Sequence, residues 1–348
     1  MPLIHRLYPL FRPLLFQLDA ETAHEWTVKL LRASYLLGML PDPEPNPAKA
    51  RTVMGLKFPN CVGLAAGMDK SASAVDAWSA LGFGHVEVGT LTPRPQPGNP
   101  TPRLFRLVEQ EAIINRLGFN NPGIDEAVHR LERRASTGIV GVNIGKNFDT
   151  PLEQAADDYL ICLRKAYAVA DYVAVNISSP NTKGLRDLQA EEPIRRLLGT
   201  LKEEQGRLAS TQGVHKPLLV KIAPDLGEEQ IEILAKVFVE LGLEGVIATN
   251  TTISREGVKK NKLWKEAGGL SGKPLMRHST AVIATLALAL KAEAHGTPPP
   301  IIGVGGIMGE MDAEAKLQAG ASLVQVYSGL VYRGPKLIAE VAGIPNTV

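Results

Sequence analysis

IVGVNIGKNFDTPLEQAADDYLICLRKAYAVADYVAVNIS, residues 139–178, holds two nearly continuous apolar runs, IVGVNIG (139–145) and YVAVNIS (172–178), separated by a helical pattern. Strands buried on both faces read this way, and a helix between two of them marks a parallel crossover. The unit recurs in both directions along the chain. Upstream stand CVGLAA (61–66) and HVEVGT (85–90); downstream stand LLVKIAP (218–224), GVIATN (245–250), IIGVGG (301–306) and LVQVYS (323–328). Eight such units predict an α/β fold closed as a (β/α)8 TIM barrel. A doubly wound open sheet is the alternative. Its one candidate dinucleotide fingerprint, around Gly303, Gly305 and Gly306, has Met308 where the last glycine belongs.

Residues 1–40 differ in character from the barrel. Leu3, Leu7, Leu10, Phe11, Leu14 and Leu18 follow helical spacing, with Pro13 expected to interrupt the element. Asp19 then reads as an N-cap with Glu21 in the first turn, and Ala23, Trp26, Leu30 and Leu37 as one apolar stripe. PDPEPNP (41–47) places proline at every second position and reads as a semi-rigid linker. The division is a helical hairpin over 1–40, a proline-rich linker leading into the barrel over 41–60, and a catalytic barrel over 61–348. The hairpin has two open readings: a cap packed on the barrel, or a peripheral membrane anchor with a hydrophobic pocket beneath it.

Composition excludes several functions. With 45% hydrophobic and 21% charged residues, 5% aromatics and a net charge of +2, the chain lacks the basic, aromatic-studded surface of a nucleic-acid binder. No apolar run reaches the ~18 residues of a membrane span, and no signal-peptide pattern opens the chain. Cys61 and Cys162 give neither a disulfide framework nor metal-ligand spacing, and HExxH, paired CxxC and GxSxG motifs are absent.

Chemistry gathers where the apolar runs end. The first gives Gly67 and Lys70, the second Gly89 and Thr90, the third Asn143 and Lys146, the fourth Asn176, Ser178 and Ser179. The others give Lys221; Thr249, Asn250 and Thr251; Gly305 and Gly306; and Tyr327 and Ser328. In a barrel these endpoints converge on one face, where barrel enzymes keep their sites. A single polar strand end is ordinarily a turn or cap; eight in succession are not. Asn115, Asn143, Asn176, Asn181 and Asn250 each carry a donor and an acceptor, suited to a ring with alternating N–H and C=O groups. Lys146 and Lys221 have no acidic neighbour in sequence, so either suits a carboxylate or an anionic reduced cofactor. GGI (305–307) and YSG (327–329) offer backbone N–H groups at the last two strand ends, where barrels frequently hold phosphate. The long Pro- and Gly-rich segments 91–115 and 251–280 are expected to cover the site as loops. His85, at a strand start, reads as structural.

These motifs closely resemble the dihydroorotate dehydrogenase family, in family order and over nearly the whole chain. They include GLAAGMDK (63–70), EVGTLTPRPQPGNPTPRLFR (87–106), INRLGFNN (114–121), NIGKN (143–147) and NISSPNTKGLR (176–186). VKIAPDL (220–226), ATNTT (248–252), GGLSGKPL (268–275), IIGVGGI (301–307) and QVYSG (325–329) continue the set. Soluble members use a cysteine base, whereas Ser179 stands at the matching position here. With FQLDAETAHEW (16–26), that points to the quinone-dependent branch rather than a cytosolic fumarate- or NAD-linked one.

The resemblance implies FMN as cofactor, dihydroorotate oxidised to orotate in pyrimidine synthesis, and a membrane quinone as final acceptor. It implies peripheral attachment at the cytoplasmic face of the cell membrane and no obligatory protein partner. It assigns Ala66, Gly67, Met68, Asp69, Lys70, Thr90, Asn143, Asn176, Lys221, Thr249, Gly272, Gly306, Tyr327 and Ser328 to the flavin. Lys70, Asn115, Arg116, Leu117, Gly118, Phe119, Asn176, Asn181, Asn250 and Thr251 are assigned to the substrate, and His24, Arg103 and Tyr327 to a quinone tunnel. Ser179 is the implied base; its hydroxyl stays protonated near neutral pH, so it requires a hydrogen-bonded relay. Met68 and Phe148 depart from the family pattern.

Overall fold

The computed structural model describes residues 3–40 and 46–346, with side chains from Tyr8 onward. Eight parallel strands close into a barrel: β1 (Val62–Leu64), β2 (His85–Leu91), β3 (Ile139–Ile144), β4 (Tyr172–Asn176), β5 (Leu218–Ile222), β6 (Gly245–Ala248), β7 (Ile301–Val304) and β8 (Ala321–Val326). Each pairs with the next in chain order, and β8 closes on β1 with Val324 opposite Val62 and Val326 opposite Leu64. The eight apolar runs are these eight strands. Their Val, Ile and Leu side chains are buried because helices cover the barrel outside and side chains fill it inside.

Two glycines make room for bulky interior groups. A Cβ at Gly63 would lie 2.0 Å from the His85 ring, and one at Gly141 2.1 Å from the Tyr172 ring. Below them a short hairpin (Arg51–Val53 with Leu56–Phe58) closes the foot of the barrel, and Phe58 sets its ring edge-on to His85. His85 is a buried structural residue, as its position at a strand start implied.

The two long segments are more ordered than loops. Leu104–Leu107, Ala112–Asn115 and Gly269–Gly272 form a three-stranded antiparallel sheet, with the strand from the second segment on the edge. It has a core of its own: Leu107, Ala112, Ile114, Val258 and Leu270, with Phe105, Leu263 and Trp264 packed against them. Apolar residues in both segments pair across more than 150 positions of sequence, which local composition does not signal.

The N-terminal hairpin consists of α1 (Leu3–Leu15) and α2 (Ala20–Leu36). The expected break at Pro13 does not occur: α1 runs through both Pro9 and Pro13. A proline inside a helix costs roughly 3 kcal/mol, and tertiary anchors offset it. The Tyr8 hydroxyl donates to the Val331 carbonyl, and its ring lies where a Cβ of Gly334 would stand, 2.2 Å away. Arg12 donates to Tyr332 O at 2.8 Å, and Phe16 stacks edge-on to Tyr332 under the Arg106 guanidinium. Asp19 caps α2 as its position predicts, its Oδ1 accepting from the N–H groups of Glu21 and Thr22, both at 3.0 Å.

The single stripe on α2 needs correction. Ala23 and Leu31 are buried, with Val28 and Tyr35 partly so, while Trp26 is 54% and Leu30 56% exposed and Leu37 lies past the helix end in solvent. The barrel takes one face; Trp26 and Leu30 stand outside it, with Leu10, Phe11 and Leu14 of α1 also exposed. The Leu3 and Leu7 side chains, and residues 41–45 of the PDPEPNP linker, lie outside the described residues. Among the described residues, no helix is long and apolar enough to cross a membrane.

Candidate active site

The C-terminal ends of the strands open into a cleft holding about 950 Å³ of space. The strand-end residues face it from every side. Ala66, Gly67 and Lys70 follow β1, and Thr90 ends β2. Asn176, Ser179 and Asn181 come from the end of β4 and its loop, Lys221 from β5, and Thr249, Asn250 and Thr251 from beyond β6. Gly306 follows β7, and Tyr327 and Ser328 follow β8. The antiparallel sheet roofs the cleft with Asn115 and Gly272, and Leu117, Gly118 and Phe119 follow its middle strand.

The asparagines hold one another. Asn181 Nδ2 donates to Asn115 Oδ1 at 3.2 Å, and Asn250 Nδ2 donates to Ser178 Oγ at 3.0 Å and Asn176 Oδ1 at 3.4 Å. Ser179 is buried, and its Oγ accepts from Asn181 N at 3.2 Å; among the described residues nothing accepts its proton. Neither cysteine lines the cleft: Cys61 and Cys162 are buried in the core, where desolvation raises both thiol pKa values.

A polar layer lies beneath the cleft, inside the barrel. Thr90 Oγ1 donates to Asn143 Oδ1 (2.6 Å), and Asn143 Nδ2 donates to Glu87 Oε1 (2.9 Å). Glu87 Oε2 accepts from Tyr172 (3.0 Å) and Gln325 Nε2 (2.8 Å), while Lys221 Nζ stands 3.8 Å from Oε1. Burial lowers the Lys221 pKa and Glu87 opposes the shift; burial alone takes His85 down to about 3, leaving it neutral. Lys221 therefore has an acidic neighbour, supplied by β2. Lys146 has a different fate: its Nζ donates to the carbonyls of Asn147 (3.1 Å) and Thr150 (2.8 Å), away from the cleft.

Several residues named from the sequence lie off the cleft wall. Asn143 belongs to the layer below. Asp69 caps the turn after β1, accepting from Ser73 N and Ala74 N at 2.8 Å each. Arg116 points outward into an ion pair with Glu266 at 2.7 Å. Met68 and Asp69, with His24, line a second cavity of about 940 Å³ between α2 and the barrel rim. Lys70, Leu117 and Tyr327 line both cavities and form a shared wall between them. Arg103 lines neither; its Nη2 meets Glu21 Oε1 of α2 at 2.6 Å and its Nη1 donates to Pro97 O and Asn99 O, locking the hairpin to the rim.

Burial lowers the Lys70 pKa to about 8, Glu21 and Glu25 opposing and Arg103 reinforcing the shift. His24 falls to about 4, first through burial and then through the Lys70 charge.

The dihydroorotate dehydrogenase family profile matches residues 49–345. The chain belongs to that family. It is 56% identical to the dihydroorotate dehydrogenase (quinone) of Nitrosomonas eutropha over 97% of each chain. It is also 56% identical to that of Akkermansia muciniphila, covering 96% of this chain and 95% of the relative. The crystal structure of Eimeria tenella DHODH in complex with ferulenol superposes with a TM-score of 0.85 at 39% identity, over 93% of this chain and 90% of that one. The ligand-free Eimeria tenella DHODH also gives 0.85, at 40% identity and 93% of each chain.

Sequence reasoning missed the support of this family's site. Glu87, Tyr172 and Gln325 went unnamed, although a charge inside the apolar run HVEVGT was a signal. Arg186 also escaped: it donates to Ser178 O (3.0 Å), Thr251 O (2.9 Å) and Asp225 (2.8 Å), tying together the loops that carry Ser179, Thr251 and Asp225.

The cleft fits a phosphorylated flavin. Gly306 has φ +77, and a Cβ there would fall 2.5 Å from the backbone of Met276; at Gly272 one would fall 2.3 Å from Glu111 O. Close packing of one backbone segment on another therefore requires glycine at both positions, which places them in the cleft wall without a side chain. Ser328 and Gly329 follow β8 at the cleft, and among the described residues their backbone N–H groups have no partner. Gln325 lines the cleft and leaves its buried Oε1 without a partner among the described residues.

Proposed function

We propose that the protein oxidises dihydroorotate to orotate with FMN in the cleft, and passes the electrons to a membrane quinone, as a step of pyrimidine synthesis. One observation carries the reading: Ser179, Lys70, Lys221 and four asparagine side chains line the same cleft as the glycine-rich wall. When bound, the flavin supplies the two-electron acceptor that no side chain can. Ala66, Gly67, Thr90, Thr249, Gly272, Gly306 and Ser328 would hold it, with the phosphate against the backbone N–H groups of Ser328 and Gly329. Lys221 would set a positive charge against its ring.

The other side chains serve the substrate. Asn115, Asn176, Asn181 and Asn250 can each donate to a ring carbonyl and accept from a ring N–H, and Lys70 can pair with the carboxylate. Ser179 would remove the proton at C5 and pass its own proton to solvent in the open cleft, since among the described residues no protein acceptor stands by it.

The quinone rests on the names of the relatives and on the second cavity, whose shared wall with the cleft contains Tyr327. The outward apolar residues of α1 and α2 suit a peripheral contact with the cytoplasmic membrane face. The test is an anaerobic absorbance spectrum of the purified protein before and after adding dihydroorotate. Flavin bands that bleach are expected; a colourless protein, or bands that dihydroorotate leaves unchanged, would refute the reading.

A further inference from the structure

Glu87 is the one carboxylate inside the barrel beneath the cleft among the described residues, and it is completely buried. Three neutral groups donate to it: Asn143 Nδ2 at 2.9 Å, Tyr172 OH at 3.0 Å and Gln325 Nε2 at 2.8 Å. A carboxylate accepts all three; a carboxylic acid would have to donate into a shell made of donors. Below it His85 is neutral, so Lys221 is the one cation within 4.0 Å among the described residues. Lys221 stands between Glu87 and the open cleft, which its side chain lines.

We infer that Glu87 is a positioning residue for Lys221: it fixes the ammonium at the cleft floor and keeps it charged against the ring that binds there. The inference rests on the flavin reading above. Burial favours loss of the lysine proton, and the attraction of Glu87 opposes that loss. The 3.8 Å separation is too long for a hydrogen bond, which leaves the ammonium donors free to turn toward the cleft. Glu87 does not itself line the cleft; of the groups it holds there, Lys221 is the one that carries a charge, and Asn143 and Gln325 are neutral.

The test compares flavin-loaded wild type, Glu87→Gln, Lys221→Met and the double variant by flavin midpoint potential at pH 6 and pH 8. A positive charge beside the ring stabilises the reduced, anionic form and raises the potential. Lys221→Met is expected to lower it at both pH values by the same offset. Glu87→Gln is expected to match the double variant at pH 8, where Lys221 has lost its proton, and to rise above it at pH 6, as Lys221 regains it. A gap between Glu87→Gln and the double variant that is as large at pH 8 as at pH 6, the mark of a lysine charged without Glu87, would overturn the inference.

A second measurement covers the case in which Glu87→Gln does not fold. In wild-type protein carrying 13C at lysine Cε, the resonance missing from Lys221→Met should show a charged ammonium at pH 7. A neutral amine there would also overturn the inference. A protein without flavin would refute the functional reading instead, and the lysine resonance of the apoprotein would still decide the pair.

Discussion

Ser179 and Lys70 line one cleft, and each has a physical demand that a substitution can expose. Ser179→Ala removes only the hydroxyl, so flavin binding should persist while anaerobic reduction by dihydroorotate slows by about 10²-fold or more. Reduction at the normal rate would reject Ser179 as the base. Lys70 makes a pH prediction. Its pKa in the free protein is lowered to about 8, so it is charged below pH 8 and neutral above. Orotate carries its carboxylate charge throughout this range and raises the lysine pKa when it binds. Its affinity should therefore hold below pH 8 and fall as pH rises past it, by up to about tenfold per unit, until the pKa of the complex is reached. Spectral titration measures this, and Lys70→Ala should give weak binding with that dependence gone; an unchanged profile in the variant would remove Lys70 from the carboxylate. Both residues were legible because they sit at strand ends next to glycine and asparagine, where a barrel concentrates its chemistry. The Glu87–Lys221 pair was not: its partners come from β2 and β5, and which strands face each other across a barrel interior is set by closure, not by local sequence.

At the scale of elements, each barrel strand announced itself because burial on both faces leaves an unbroken apolar run. The covering sheet gave no such sign. Its three strands are only four residues long and draw on segments more than 150 residues apart, so each reads locally as a Pro- and Gly-rich loop. The hairpin was half legible. Asp19 marks the start of α2 by its own side chain, whereas the passage of α1 through two prolines depends on Val331 and Tyr332 at the far end of the chain. Docking of α2 should also depend on pH. His24 has a pKa of about 4 when docked and an ordinary one near 6.5 when free. Above pH 6.5 both forms are neutral and docking is unaffected. As pH falls from 6.5 toward 4 the undocked form takes up a proton that the docked form does not. Docking then weakens by up to about tenfold per unit. The charged groups facing His24 are Lys70, which remains protonated over this range, and Glu21, which is paired with Arg103 at 2.6 Å. Amide exchange within Ala20–Leu36 should therefore quicken between pH 6.5 and 4.5 relative to the barrel strands, and His24→Gln should abolish that difference. Equal pH dependence in the variant would assign the effect to another group.

For the molecule as a whole, the question is whether the hairpin holds the barrel up or serves it. Within α1 and α2 the described residues bury only Ala23 and Leu31 fully, against a barrel core built from all eight strands and their helices. Burial of a leucine contributes about 1.5–3 kcal/mol, and a domain is stable by about 5–15 kcal/mol. A chain beginning near residue 48 keeps the hairpin at the barrel foot, where Phe58 packs on His85, and loses the anchors at Arg103, Arg12 and Arg106. It should melt several degrees lower yet remain folded, bind FMN and be reduced by dihydroorotate, because every residue lining the cleft lies beyond residue 60. The other half of the reaction should fail. Glu21, His24, Glu25, Val28 and Lys29 form one wall of the second cavity, and their loss opens it to water. The exposed apolar residues of the hairpin, Leu10, Phe11, Leu14, Trp26 and Leu30, go with it, and with them the surface that suits a lipid headgroup layer. Reduction of the flavin and its reoxidation by a long-chain quinone, measured separately, together with vesicle sedimentation, distinguish the outcomes. A shortened protein that is an unstable apoprotein makes the hairpin a structural cap. One that keeps full quinone turnover and vesicle binding places the quinone and the membrane contact elsewhere on the barrel.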